Sequence, residues 1–81
     1  LDKAEVLLRK VNWISGKQPK LPVEVLVKIR YRQKPAMARI YKIKNGGYKI
    51  IFRKSQRAVT PGQSAVFYRG DEVLGGGIIV K

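Results

Sequence analysis

QRAVTPGQSAVFYRGDEVLGGG, residues 56–77, packs two turn signals, two short apolar runs and three adjacent glycines into one stretch. Ala65 and Phe67 alternate with Val66 and Tyr68 as the two faces of a short strand. Thr60, Pro61, Gly62 and Gln63 form the turn before it, where Pro61 presets a corner and Gly62 can take the positive φ that a type II turn needs next. A second turn at Gly70 and Asp71 leads into Val73 and Leu74, and Gly75, Gly76 and Gly77 then precede Ile78, Ile79 and Val80. A phosphate loop would instead end in lysine followed by serine or threonine at the start of a helix. These glycines run into strand formers, so they are read as a bulge, a barrel corner or a close approach of another backbone.

Working outward, the same strand-and-turn grammar continues. MARIYKI and YKIIFR flank Asn45, Gly46 and Gly47, the clearest hairpin in the chain, because Asn-Gly supplies the positive φ angles of a tight turn. Alternation then sends Ala38, Ile40, Tyr48, Ile50 and Phe52 inward and leaves Arg39, Lys49 and Arg53 outward. Residues 22–32, PVEVLVKIRYR, predict one strand with Val23, Val25, Val27, Ile29 and Tyr31 on one face. Lys28, Arg30 and Arg32 would make a cationic row on its other face, at a spacing comparable to phosphates along a nucleic-acid strand. An ordinary solvated face would look the same.

The first segment is ambiguous. Ala4, Leu7, Leu8 and Val11 fit helical spacing, but a strand near Glu5 to Lys10 is favoured because a helix there would be short and poorly capped. Residues 15–22, SGKQPKLP, read as a loop. Trp13, beside Val11 and Ile14, is expected to plug the core or an interface. Tyr31, Tyr41, Tyr48 and Tyr68 are alternative base-stacking candidates, Tyr41 foremost. About six short strands with no clear helix predict an all-β fold, a small six-stranded antiparallel barrel whose closure removes exposed edges.

Composition narrows the function. The chain has 81 residues, enough for one domain (1–81) with a small core. It has no cysteine and no histidine, and its five acids, Asp2, Glu5, Glu24, Asp71 and Glu72, have no metal-ligand spacing. No thiolate nucleophile, general-base histidine or metal site can be assembled from it, so no catalytic residue is expected. No apolar run is long enough for a membrane helix, and no membrane partner is expected. Eighteen Lys and Arg give a formal net charge of +13, and between Val25 and Gly70 twelve basic residues stand with no acid among them. That unbalanced field attracts polyanions, above all nucleic acid. A solubilising or thermophilic surface is the competing reading, but thermophily predicts more glutamate too, and here glutamate is scarce.

VNWIS at 11–15, VKIRYRQ at 27–33 and QRAVTPGQSAVFYRGDEVLGGGII at 56–79 together resemble the C-terminal domain of bacterial tRNA-specific 2-thiouridylases. The resemblance implies a barrel like the second domain of elongation factor Tu, attached to a longer cytoplasmic enzyme with N-terminal catalytic and central domains. The chain's start at Leu1 fits such a piece. The family's enzymes place sulfur at position 2 of the tRNA wobble uridine, using ATP (with Mg) and persulfide sulfur received from a sulfur-relay donor protein. The ATP motif and cysteines of that chemistry have no counterpart here, so the domain itself is expected to need no cofactor. Its implied role is to position tRNA through phosphate contacts, with Lys28, Arg30, Arg32, Arg39, Lys49, Arg53 and Arg57 as the candidate contacts. The alternative is a free-standing ribosomal-type RNA-binding barrel.

Overall fold

The computed structural model describes residues 2–81. Six strands occur among the described residues: β1 (Lys3–Trp13), β2 (Val23–Lys28), β3 (Ala36–Lys42), β4 (Tyr48–Gln56), β5 (Ser64–Arg69) and β6 (Glu72–Ile79). They close into a barrel in the order β1-β4-β3-β2-β5-β6, every neighbouring pair antiparallel. The expected six-stranded barrel is therefore the fold. Each strand has partners on both sides, which satisfies the backbone ladders without an open edge.

Alternation fills the interior. Val6 and Leu8 of β1, Val25 and Val27 of β2, Ala38 and Ile40 of β3, Tyr48, Ile50 and Phe52 of β4, Ala65 and Phe67 of β5, and Ile79 of β6 are all buried. Ile29 and Val59 close the core from the loops beyond β2 and β4. The inward set expected for the β3–β4 hairpin is thus observed, with Ile40 opposite Ile50 and Ala38 opposite Phe52. Its turn uses the anticipated chemistry: Asn45 and Gly46 have φ of 67° and 78°, and Ile43 donates to the Gly47 carbonyl at 3.1 Å.

β1 is longer than its sequence signal, Glu5 to Lys10, because it serves two neighbours. Residues 3–8 pair with β4 and residues 8–13 with β6. A register shift between Arg9 and Asn12, with Lys10 at φ 54°, breaks the alternation. That bulge explains why helical and strand periodicities competed in the sequence. Trp13 at the strand's end is a core plug, as expected. Its ring stands edge-on to Tyr48 at 5.9 Å and tilted against Phe67 at 5.4 Å, and its Nε1–H donates to the Tyr48 hydroxyl at 3.4 Å.

One element departs from expectation. β2 ends at Lys28, not Arg32, so the predicted row Lys28, Arg30, Arg32 does not lie on a single strand. The cause is Gln33. Its side-chain carbonyl accepts from the backbone N–H groups of Ile29 (3.1 Å) and Arg30 (3.3 Å), while its own N–H donates to the Arg30 carbonyl at 3.1 Å. The chain turns there to deliver Ala36 opposite Val27. Tyr31, expected on the inward face, is 90% exposed at the tip of this loop.

The glycine triplet is packing, as read. A Cβ on Gly75 would lie 2.1 Å from the Asn12 carbonyl oxygen, and one on Gly76 would lie 2.6 Å from that of Ala65. β6 is pressed between β1 and β5 so closely that no side chain fits.

Candidate nucleic-acid interface

Antiparallel pairing sorts the loops to two ends of the barrel. One end collects the β2–β3 loop (29–35) and the β4–β5 turn (57–63), because β2 and β4 finish there and β3 and β5 begin there. The β2–β3 loop, the β4–β5 turn and the adjoining ends of β2 and β4 carry Lys28, Arg30, Arg32, Lys34, Lys54 and Arg57, six cations with no acidic residue among them; the start of β1, with Asp2 and Lys3, lies at the same end, Lys3 opposite Gln56. The opposite end has a mixed character. A cleft of about 330 Å³ opens there beside the half-buried Trp13 and the exposed Ile14 and Val73, with Lys17, Arg69 and Glu72 at its rim.

The seven candidate cations fall into two groups. Lys28, Arg30, Arg32 and Arg57 belong to the basic mouth. Arg39, Lys49 and Arg53 stand on the outer face of β3 and β4, where register sets Arg39 beside Ile51 and Lys49 beside Tyr41. The two groups differ in how much of their charge is already engaged.

On the outer face, Glu24 of β2 sits opposite Arg39 and binds two guanidinium groups. Its Oε2 accepts from Arg53 Nη2 at 2.7 Å and lies 3.8 Å from Arg39 Nη2. The hydrogen bond and then the charge of Arg53 lower the Glu24 pKa from its ordinary value against an opposing effect of desolvation, and Arg39 adds the smallest contribution. Two positive charges share one negative, leaving a net +1. Lys49 is also partly engaged, its Nζ 5.6 Å from the centre of the Tyr41 ring. Among the described residues Glu24 is the one acid that forms ion pairs.

In the mouth, Arg30 is a brace. Its Nη2 donates to the carbonyl oxygens of Arg57 and, at 2.9 Å, Ala58, tying the β2–β3 loop to the β4–β5 turn. Ala58 is held at φ 51°, a left-handed conformation uncommon for alanine. Gln33 reinforces the tie by donating from Nε2 to Gln56 Oε1 at 2.8 Å, and Gln56, the one buried polar side chain among the described residues, donates to the Lys54 carbonyl at 3.0 Å. Lys28, Arg32 and Arg57 make no side-chain hydrogen bond or ion pair among the described residues, so their charge is open to a ligand.

Sequence reasoning missed Gln33 and Gln56 as the frame of this mouth. The visible signal was Gln33-Lys34-Pro35, a turn signature that interrupts the strand read through Arg32. The aromatic candidates also sort differently. Tyr48 is buried, with its hydroxyl donating to Gln18 at 2.5 Å, and Tyr41 and Tyr68 are half-buried. Only Tyr31 stands clear of the barrel.

No phosphate cradle exists at residues 75–77, because the backbone there faces neighbouring carbonyls at close range. Among the described residues no three His, Cys, Asp or Glu side chains gather where they could hold a metal ion. Among the described residues no helix is long and apolar enough to cross a membrane.

Residues 3–79 match the family described as the aminomethyltransferase beta-barrel domain. Among curated proteins the chain is 49% identical over 74 residues to a tRNA-specific 2-thiouridylase of Halothermothrix orenii, covering 91% of this chain and 21% of that protein. It is 53% identical over 72 residues to one of Heliobacterium modesticaldum, covering 88% and 19%, and 47% identical over 77 residues to one of Clostridium botulinum, covering 95% and 21%. The resemblance read from the three motifs is borne out by these matches. The chain spans about a fifth of the length of these relatives.

Proposed function

Given that this chain belongs to the aminomethyltransferase beta-barrel domain family, we propose that it is the non-catalytic, tRNA-positioning barrel of a cytoplasmic tRNA-specific 2-thiouridylase. In this reading the enzyme's catalytic and central domains lie elsewhere in the longer protein and bind ATP with magnesium. Persulfide sulfur reaches them from a relay donor and replaces the oxygen at position 2 of the wobble uridine. The barrel supplies no group to that step.

The observation that carries the proposal is the basic mouth, where the side chains of Lys28, Arg32 and Arg57 have no partner among the described residues and Arg30 ties together the two loops that bear Arg32 and Arg57. Phosphate contacts of this kind set the register of a bound RNA without reading its sequence. Lys49, Arg39 and Arg53 extend the positive surface along β3 and β4, with Glu24 moderating the last two.

The test is steady-state kinetics of the whole enzyme with Arg32→Ala and Arg57→Ala combined. A positioning surface raises KM for tRNA several-fold, leaves KM for ATP unchanged and leaves kcat near its original value. Unchanged KM for tRNA would remove the mouth from the proposal.

A further inference from the structure

Tyr31 is 90% exposed, yet it does not sit on a loose segment. Four hydrogen bonds through Gln33 fix the loop beneath it: from Ile29 and Arg30 to the Gln33 side chain, from the Gln33 N–H to the Arg30 carbonyl, and from Gln33 Nε2 to Gln56 at 2.8 Å. Arg30 then pins the loop to the neighbouring turn through Ala58 at 2.9 Å. The aromatic ring is therefore carried on a braced support and buries almost nothing of itself. Folding gives no reason for an aromatic residue at that tip.

Its surroundings give one. Tyr31 lies between Arg30 and Arg32, with Lys34 following and Arg57 brought up by the Arg30 tie. A π-face presented beside open cations suits a nucleotide, whose base stacks while its phosphate is neutralised. The other aromatic residues are less available: Trp13 and Tyr48 are engaged in the core, and Lys49 lies 5.6 Å from the Tyr41 ring centre.

We infer that Tyr31 is a stacking platform for one unpaired base of an RNA strand whose phosphates lie against Arg32, Lys34 and Arg57. The inference rests on the RNA-binding reading above and deepens it: the mouth favours a loop, bulge or strand end over a continuous duplex, which it holds through phosphates alone. Stacking is indifferent to base identity, so the site selects unpaired structure over sequence.

The 81-residue chain closes its own barrel around its own core and can be assayed as it stands. Two fluorescein-labelled RNAs of equal length and charge, one a hairpin with an unpaired loop and one a blunt duplex, are titrated at a single low salt concentration. Tyr31→Ala and Tyr31→Leu should weaken hairpin binding at least about five-fold, the loss of one base–aromatic stack, and change duplex binding less than about two-fold. Tyr31→Phe should match the wild type on both probes, and Arg32→Ala should weaken both alike. Equal binding by Tyr31→Ala and wild type, or equal loss on hairpin and duplex, overturns the stacking role while leaving the RNA reading in place. A wild-type chain that binds neither probe overturns both.

Discussion

Arg30 Nη2 donates to the carbonyl oxygen of Ala58 at 2.9 Å, across 28 positions of sequence. The cation at the centre of the predicted row is thus committed to the protein's own backbone, and its work is to hold two loops in register. Arg30→Ala should cost about 1 kcal/mol of stability, a charged hydrogen bond discounted for its exposure, and lower Tm by about 4–8 °C. Arg32→Ala should stay within about 0.5 kcal/mol of wild type. Denaturant titration of the two variants separates brace from free cation.

Glu24 accepts from Arg53 at 2.7 Å and lies 3.8 Å from Arg39. Removing its charge should release both guanidinium groups to the outer face. Glu24→Gln should therefore tighten RNA binding about two- to five-fold at low salt, with the gain shrinking as salt rises. Anisotropy titrations at two ionic strengths check this.

The same pair gives a pH prediction. The Glu24 pKa is lowered in the folded chain, so its contribution is present above the unfolded carboxyl pKa and lost as pH falls through the lower folded value. The stability gap between wild type and Glu24→Gln should be constant near neutrality and close only below the ordinary carboxylate range. Both carboxyl and guanidinium groups are well exposed, so the gap should be small throughout. Thermal unfolding from pH 7 down to strongly acidic conditions measures it.

At Gly75, a single methyl group meets the Asn12 carbonyl oxygen at 2.1 Å, a contact with backbone that no rotamer relieves. Gly75→Ala should destabilise the barrel by about 3 kcal/mol, at the upper end for overpacking. The fluorescence of Trp13, which adjoins this contact and is the chain's one tryptophan, reports the unfolding midpoint.

Much of this was legible in the residues. Inward alternation at Ala38, Ile40, Tyr48, Ile50 and Phe52 follows from a register that Asn45 and Gly46 impose locally, and the close packing at Gly75–Gly77 follows from glycines running into strand formers. Features set by side-chain hydrogen bonds, or by partners distant in sequence, were not legible. Whether β2 ends at Lys28 depends on Gln33 competing for the backbone N–H groups of Ile29 and Arg30, which alternation of apolar residues does not register. Arg30 reads as a surface cation until the closed barrel brings Arg57 and Ala58 beside it. Glu24 looks isolated along the chain until pairing of β2 with β3 and of β3 with β4 places two arginines around it.

The central claim, that the basic mouth binds RNA through phosphates, is tested most directly by tRNA affinity of this chain across a salt series. About four phosphate contacts predict a slope of log affinity against log salt near −3 to −4, and Arg32→Ala with Arg57→Ala should make it shallower by about 1.5 to 2. No detectable binding at low salt, or a slope unchanged by the double substitution, would contradict the account.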